Sequence, residues 1–327
     1  MLQDNVLLYL EENRGKIITG GEIARGLGVS RTAVWKAVHT LRDRGHEIVS
    51  LANSGYQLQH SSDGLSVNDI TSGLTTEKFG RKIELYQTIA STNTYMKKLD
   101  HSDYPEGFTV IADHQTAGRG RFARKFYSPD KQGIYLSLLL KPNIDLPSIS
   151  VLTICAAIAV CRGVLKICDI NAGIKWVNDI YIGGKKLCGI LSEASMSAEL
   201  QSIDSVVVGI GINTGVVDDN VREIAASILE ESGKRGIRNR LIAEVLNQFE
   251  DIYFGLDRGD KKKDIIAEYS QKLLFVGKEI RVTQHEKSYS AIVQGVDETG
   301  ALIVCLSDGS ISSITSGEIN LDWRSGQ

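Results

Sequence analysis

Apolar residues recur at two spacings along this chain, and the changes between them mark three regions. In the first, Val6, Leu7, Leu8 and Leu10 predict an opening helix. Thr19 precedes a short helix over 21–27 that carries Ile23, Ala24 and Leu27. Gly28 supplies a turn, and Ser30 is placed to cap a second helix from Arg31 to about Arg44. Ala33, Val34, Ala37, Val38 and Leu41 give that helix an apolar face at spacings of three and four. Gly45 ends it. The runs 47–51 and 56–59 flank Ala52-Asn53-Ser54-Gly55 and predict a hairpin. Two short helices across a tight turn, followed by a hairpin, make a winged helix-turn-helix over residues 1–64.

The second region, 65–274, mixes strand-like runs at 83–86, 108–112, 134–140 and 206–212 with helices expected over 148–166, 219–231 and 239–254. Strands and helices do not alternate in a βαβ rhythm, so an α+β domain with a mixed or mainly antiparallel sheet is expected. Lys261-Lys262-Lys263 reads as the solvated face of a further helix. Beyond Phe275 the period shortens again. Runs at 279–283, 289–296, 302–306 and 310–314, with turns at 298–300 and 308–309, predict a small closed β-barrel over 275–327.

The 327 residues are 42% hydrophobic and 24% charged with four prolines, which fits two or three folded domains. A formal charge of -3 gives no global attraction to nucleic acid or an anionic membrane, so any polyanion site must be local. One such place is the second helix, where Arg31, Lys36, Arg42 and Arg44 face only Asp43. Five cysteines (155, 161, 168, 188 and 305) form no close pair, and the first three read as buried thiols. The histidines show no zinc spacing, and the first sixteen residues do not read as a signal peptide. The longest apolar run, Val151 to Cys161, is too short to span a bilayer. A reducing, cytoplasmic setting without a membrane is the expectation.

The strongest chemical signal is Gly118-Arg-Gly-Arg-Phe-Ala-Arg-Lys-Phe126. Arg119, Arg121, Arg124 and Lys125 lie within seven residues, and no acid occurs from His114 to Pro129. Glycines let such a loop turn or approach a ligand, and guanidinium groups neutralise phosphates. Read without context, the loop could equally aid solubility or touch nucleic acid. Lys175-Trp176-Val177-Asn178-Asp179 and Lys185-Lys186 flank a Gly183-Gly184 turn, a hairpin that sets lysines beside Asn178 and Asp179. Such lysines are either plain surface residues or fixed positive charges where negative charge develops. Gly209 and Gly211 interrupt an apolar strand and signal close approach of a ligand or of another strand. Ser91-Thr92-Asn93-Thr94 either caps a helix or faces a small polar ligand.

In order, Ser91-Thr92-Asn93, Gln115-Thr116-Ala117, Gly118-Arg-Gly-Arg121, Lys175-Trp176 with Asn178-Asp179, Lys186 with Gly189, and Gly209 to Asn213 resemble the biotin protein ligases. With the N-terminal winged helix and C-terminal barrel, the chain is similar to the bifunctional ligase and biotin-operon repressor subclass. That resemblance implies a catalytic domain of the class II aminoacyl-tRNA synthetase-like biotin ligase fold and an SH3-like barrel. It implies that ATP, magnesium and biotin give biotinyl-5'-AMP, which is both intermediate and corepressor. The acceptor would be a lysine of a biotin carboxyl carrier domain, as in acetyl-CoA carboxylase, and a homodimer would bind operator DNA.

By the same resemblance Lys186, Arg121 and Asp179 are the catalytic residues. Ser91, Thr92, Asn93, Gln115, Gly118, Arg119, Arg121, Lys186 and Gly189 would bind biotin. Arg119, Arg121, Arg124, Phe126, Lys175, Asn178, Lys186 and Asn213 would bind ATP or the adenylate, with Asn178 and Asp179 near magnesium. DNA would meet Ser30, Arg31, Thr32, Trp35, Lys36, Asn53 and Ser54. The family loop reads GRGRRGRxW, so Phe122, Ala123 and Phe126 depart from it, and Val177 replaces a proline. A lipoate ligase, a sensing repressor without catalysis, a winged domain that binds protein, and a metabolic enzyme with a structural N-terminal domain are the alternatives.

Overall fold

The structure is a computed structural model that describes residues 2–52, 54–144, 149–196, 203–256, 260–284 and 287–321. At the N-terminus, α1 (Leu2–Glu12), α2 (Gly20–Leu27) and α3 (Arg31–Asp43) pack beside the hairpin β1 (Ile48–Leu51) and β2 (Gly55–Leu58). Local chemistry sets the helix starts. Thr19 and Glu22 form a reciprocal capping box on α2, and Ser30 accepts from the Ala33 N–H at 3.1 Å on α3. Gly28 closes α2 in the left-handed conformation. Val6, Leu10, Ile23, Val34, Val38, Leu41, Ile48 and Leu58 form a small separate core. Gly55 is required at the wing, because a side chain there would strike the Ile18 backbone that pairs with Tyr56.

The central domain carries a seven-stranded sheet built from β3 (Ile83–Ile89), β4 (Thr109–Gln115), β5 (Gly133–Leu140), β6 (Gly173–Lys175), β7 (Asp179–Ile182), β8 (Lys185–Met196) and β9 (Ile203–Asn213). Its order is β3-β4-β5-β9-β8-β7-β6, and only the β3–β4 pair is parallel. The remaining helices are α4 (Val67–Ser72), α5 (Thr92–Met96), α6 (Ile149–Cys168), α7 (Ile228–Ser232), α8 (Arg238–Gly255) and α9 (Asp260–Lys272). Helix α6 packs on β7, β8, β9, α8 and α9. It has twenty residues and is long and apolar enough to cross a membrane, which corrects the expectation from the shorter run 151–161. Its burial on most sides makes it a core helix here.

The expected long helix over 219–231 does not form. A single 3-10 turn at Asp219–Val221 and the five-residue α7 replace it. Tertiary pairing wins over helical periodicity. The Lys186 N–H donates to Ile224 O, and the Ala226 N–H donates to Lys186 O, so this stretch runs as a partial strand along β8.

The C-terminal strands β10 (Glu279–Gln284), β11 (Lys287–Val296), β12 (Leu302–Leu306), β13 (Ile311–Ile314) and β14 (Glu318–Leu321) form an antiparallel sheet ordered β13-β12-β11-β10-β14. The sequence pattern anticipates all but β14. Their inward residues Ile280, Val282, Val293, Val304 and Ile319 continue the main core.

Polar contacts fasten the winged domain to the rest, among them Arg14 with Asp69, Asn68 with Glu11, and those made by Arg238 and Lys131. Arg238, at the start of α8, is 1% exposed and pairs with Asp113 at the end of β4. Its backbone N–H donates to Asp63 Oδ1 at 3.0 Å, and its Nε to Asp63 O at 3.2 Å. Lys131 Nζ donates to Asp43 O, at the end of α3, at 2.8 Å.

His46 is buried beside Gly64, where a side chain at 64 would strike its ring. Burial, reinforced by Arg14, Arg44 and Arg238, pulls its pKa down to about 4. The folded protein therefore holds it neutral, and stability is lost as pH falls from about 6.5 toward 4. His46 alone contributes a loss of about 1.4 kcal/mol per pH unit in that window, opposed below about pH 6 by Asp113, whose pKa burial raises to about 6, and urea unfolding followed by circular dichroism reads the difference between variants. A His46→Gln variant should flatten this part of the profile. An equal slope in both proteins would remove His46 as its cause.

Candidate active site and nucleic-acid surface

One cleft gathers residues from distant segments: the α5 cap, the end of β4, the 118–126 loop, the β6–β7 connection, β8, β9 and β14. Of the residues expected to act on small molecules, all but Gly118 and Asn213 line it. Gly118 sits at the loop base, where its carbonyl accepts from the Phe126 N–H at 2.9 Å. Asn213 spends its amide on Lys186 O at 3.3 Å and Ala226 O at 3.0 Å, so it frames the Lys186 backbone.

One end of the cleft is neutral and hydrogen-bonding. Ser91 caps α5, and the Thr92 N–H and hydroxyl both donate to Gln115 Oε1, at 2.9 and 3.2 Å. Gln115 Nε2 reaches Ser128 Oγ at 3.0 Å. Asn93 is fully engaged, donating to Leu191 O and Glu193 Oε2 and accepting from Ser137. It shapes this end from behind. The glycine at 209 makes room for it, since a methyl there would overlap Asn93 Oδ1. Gly211 and Gly189 likewise make room for the Phe126 ring. The glycine-interrupted strand thus accommodates the protein's own side chains.

The other end is cationic. The 118–126 loop folds back on itself, with Gly120 N–H donating to Arg124 O at 2.8 Å and residues 119 and 125 pairing. Phe122 and Ala123 adopt φ of 54° and 58°, a left-handed conformation that costs a non-glycine residue about 1–2 kcal/mol. Arg121 donates to Asn178 Oδ1 at 3.2 Å, Arg124 pairs with Glu318 at 2.8 Å, and Lys175 donates to Asn320 at 2.9 Å. Burial lowers the Arg121 and Lys175 pKa values, against the opposing pull of Asp179. Lys186 Nζ lies 2.8 Å from Asp179 Oδ1, an ion pair between β8 and β7. Behind this wall Tyr269 donates to Val177 O, and the Trp176 indole donates to Gly300 O of the C-terminal sheet.

Glu318, Asn320 and Gly317 were not anticipated from sequence. Glu318 is 194 residues from its partner Arg124 and Asn320 is 145 from Lys175, and none of the three carries a local motif. No group of three or more His, Cys, Asp or Glu gathers as a metal site among the described residues.

On α3, Thr32, Trp35, Lys36 and His39 face solvent, opposite buried Val34, Ala37, Val38 and Leu41. Arg31 lies over Gly21 at the start of α2. Of the four cations expected on α3, two are held within the domain, and only Arg44 is held by an acid. Arg42 donates to Ile48 O and Ser50 Oγ of the wing, and Arg44 pairs with Asp4. Ser54 is in the wing, where its N–H donates to Leu51 O, and Asn53 lies outside the described residues.

Comparison with known proteins gives this arrangement its context. Residues 85–213 match the biotin/lipoate A/B protein ligase family, 3–57 an HTH domain, and 275–322 the biotin protein ligase C terminal domain. The bifunctional ligase/repressor BirA of Bacillus spizizenii is 35% identical over 325 residues, covering 98% of both chains. The chain belongs to the bifunctional biotin ligase/repressor family. BirA of Escherichia coli is 28% identical over 94% of each chain. The biotin protein ligase of Aquifex aeolicus, solved with biotin and ATP, matches with a TM-score of 0.64 at 27% identity, over 73% of this chain and 98% of that one. This ligase/repressor therefore uses ATP to biotinylate a carrier protein through biotinyl-5'-AMP, and binds operator DNA through its winged domain.

A Gly209→Ala variant tests the frame around Asn93. The added methyl displaces Asn93 from Ser137 and Glu193, so calorimetry should show biotin affinity about tenfold weaker. Unfolding stability should fall by about 1–3 kcal/mol. Unchanged biotin affinity would show that Asn93 does not shape this end.

Proposed function

We propose that the two ends of the cleft hold the two halves of one adenylate. The observation that carries this reading is the convergence of Arg119, Arg121, Arg124, Lys175 and Lys186 on a cleft whose far end, at Ser91, Thr92 and Gln115, is neutral. The biotin ureido group fits the neutral end, and its chain runs along Gly189, Ile190 and Phe126 toward Lys186. The phosphates of ATP lie among Arg119, Arg121 and Lys186. The biotin carboxylate attacks the α-phosphate, pyrophosphate leaves, and Lys186 neutralises charge as it develops. The ε-amine of the carrier lysine then attacks the carbonyl carbon of the mixed anhydride, AMP departs, and an amide forms. Binding, alignment and water exclusion are the protein's main tasks.

Magnesium enters with ATP. Asn178 and Asp179, an amide oxygen and a carboxylate adjacent in the chain on the cleft wall, would be its partners, and the charge it brings would ease pyrophosphate departure. The strained turn at Phe122 and Ala123 supports a loop that reorganises once the adenylate is bound.

The same ligand acts as corepressor in this reading. The adenylate-bound chain forms a homodimer whose two winged domains read a palindromic operator upstream of biotin synthesis and transport genes. We place both activities in the cytoplasm, supported by the buried free thiols at 155, 161, 168 and 188. The units that fold around these tasks are residues 1–64, 65–274 and 275–327.

Incubation with ATP, magnesium, labelled biotin and a carboxyl carrier domain tests the enzyme. Absence of both adenylate and labelled carrier would rule it out, and efficient lipoate transfer would favour the alternative ligase. Gel shifts with and without biotinyl-5'-AMP test the repressor. Equal shifts would leave DNA binding intact and remove its control by the adenylate.

A further inference from the structure

Trp35 is 51% exposed on α3, an unusual placement for the largest apolar side chain of a small domain. The indole is not loose. His39, one turn further on, meets it edge-on with ring centroids 4.1 Å apart at 69°. No hydrogen bond engages the indole N–H among the described residues. Its neighbours on the solvent face are Thr32, Lys36 and His39, so the ring is a single apolar plate in polar surroundings.

The charges select an orientation. Arg31 and Lys36 lie toward the N-terminal half of α3, Asp43 lies at its C-terminal end, and Arg42 and Arg44 are engaged within the domain. Phosphates are accommodated at the N-terminal half, where Arg31 and Lys36 have no acid beside them in the first turn. An α-helix fits the major groove, where thymine alone offers an apolar group, its 5-methyl, among hydrogen-bonding edges.

We propose that Trp35, held at its tilt by His39, reads thymine methyl groups in the major groove. The pair is then a specificity-determining element, with Arg31 and Lys36 supplying phosphate contacts that carry no sequence information. Trp35 is the reading group and His39 a positioning residue. This deepens the DNA-binding reading of the winged domain and rests on it.

The test uses the full chain with biotinyl-5'-AMP and a pool of random DNA duplexes. The best enriched duplex is then remade with deoxyuridine replacing thymidine at one position at a time. For the unmodified protein, one or two replacements per half-site should weaken binding about three- to tenfold. Trp35→Ala should bind the thymine and uracil duplexes alike, and His39→Ala should narrow the difference. Trp35→Phe, which keeps an aromatic plate, should retain most of it. Equal affinity of the unmodified protein for every uracil duplex overturns the proposal, as does full discrimination by Trp35→Ala. A pool that fails to enrich overturns the DNA reading itself, and is distinguishable from enrichment without methyl dependence.

Discussion

A Lys186→Met variant should form adenylate about 10²–10³ times more slowly while still binding biotin within a few-fold of normal. The reason lies in two effects that act together. Lys186 is the cation on β8 that faces the point where the neutral and cationic ends of the cleft meet. Removing it takes away a charge positioned for the α-phosphate. It also leaves the Asp179 carboxylate, its partner at 2.8 Å, uncompensated beside an incoming polyanion. Rapid-quench measurement of pyrophosphate release separates this step from carrier transfer. Adenylation within threefold of the unmodified rate would remove Lys186 from the catalytic role.

The largest loss of stability is expected from Arg238→Met. Its guanidinium is 1% exposed, and the side chain of its partner Asp113 is 7% exposed. Methionine would fill much of the volume and leave a carboxylate buried without its cation. Breaking one side of such a pair costs about 3–5 kcal/mol. The cost should fall sharply when Asp113 is replaced by Asn in the same chain. Because Arg238 also holds Asp63, limited proteolysis should cut the 59–66 stretch faster in the single variant. A denaturation midpoint unchanged from the unmodified protein would show that this buried pair does not stabilise the fold.

Local chemistry made much of this fold legible. Ser30 and Thr19 announced their helices, Gly183-Gly184 its hairpin, and the alternation after Phe275 a run of antiparallel strands. Most of the expected cleft residues come together because their motifs fall at strand ends and turns that one sheet aligns. What stayed hidden depended on partners distant in sequence. The stretch 219–231 has helical periodicity, yet the Lys186 backbone claims Ile224 and Ala226. Glu318 means nothing until β14 is laid beside Arg124. Arg42 and Arg44 read as free side chains in composition, and only the wing and α1 show what holds them. Gly209 and Gly211 did mark a close approach, but of Asn93 and Phe126.

Helix α6 has a consequence for how the protein is made. Every element named above as packing on it follows it in the chain, and α8 begins about 70 residues after it ends. At about 5–20 residues per second of translation, an apolar rod of membrane-spanning length waits several seconds for its cover. During that interval the faces of α6 that α8 and α9 later cover stay open to water, so completion of this core waits on the last helices of the domain.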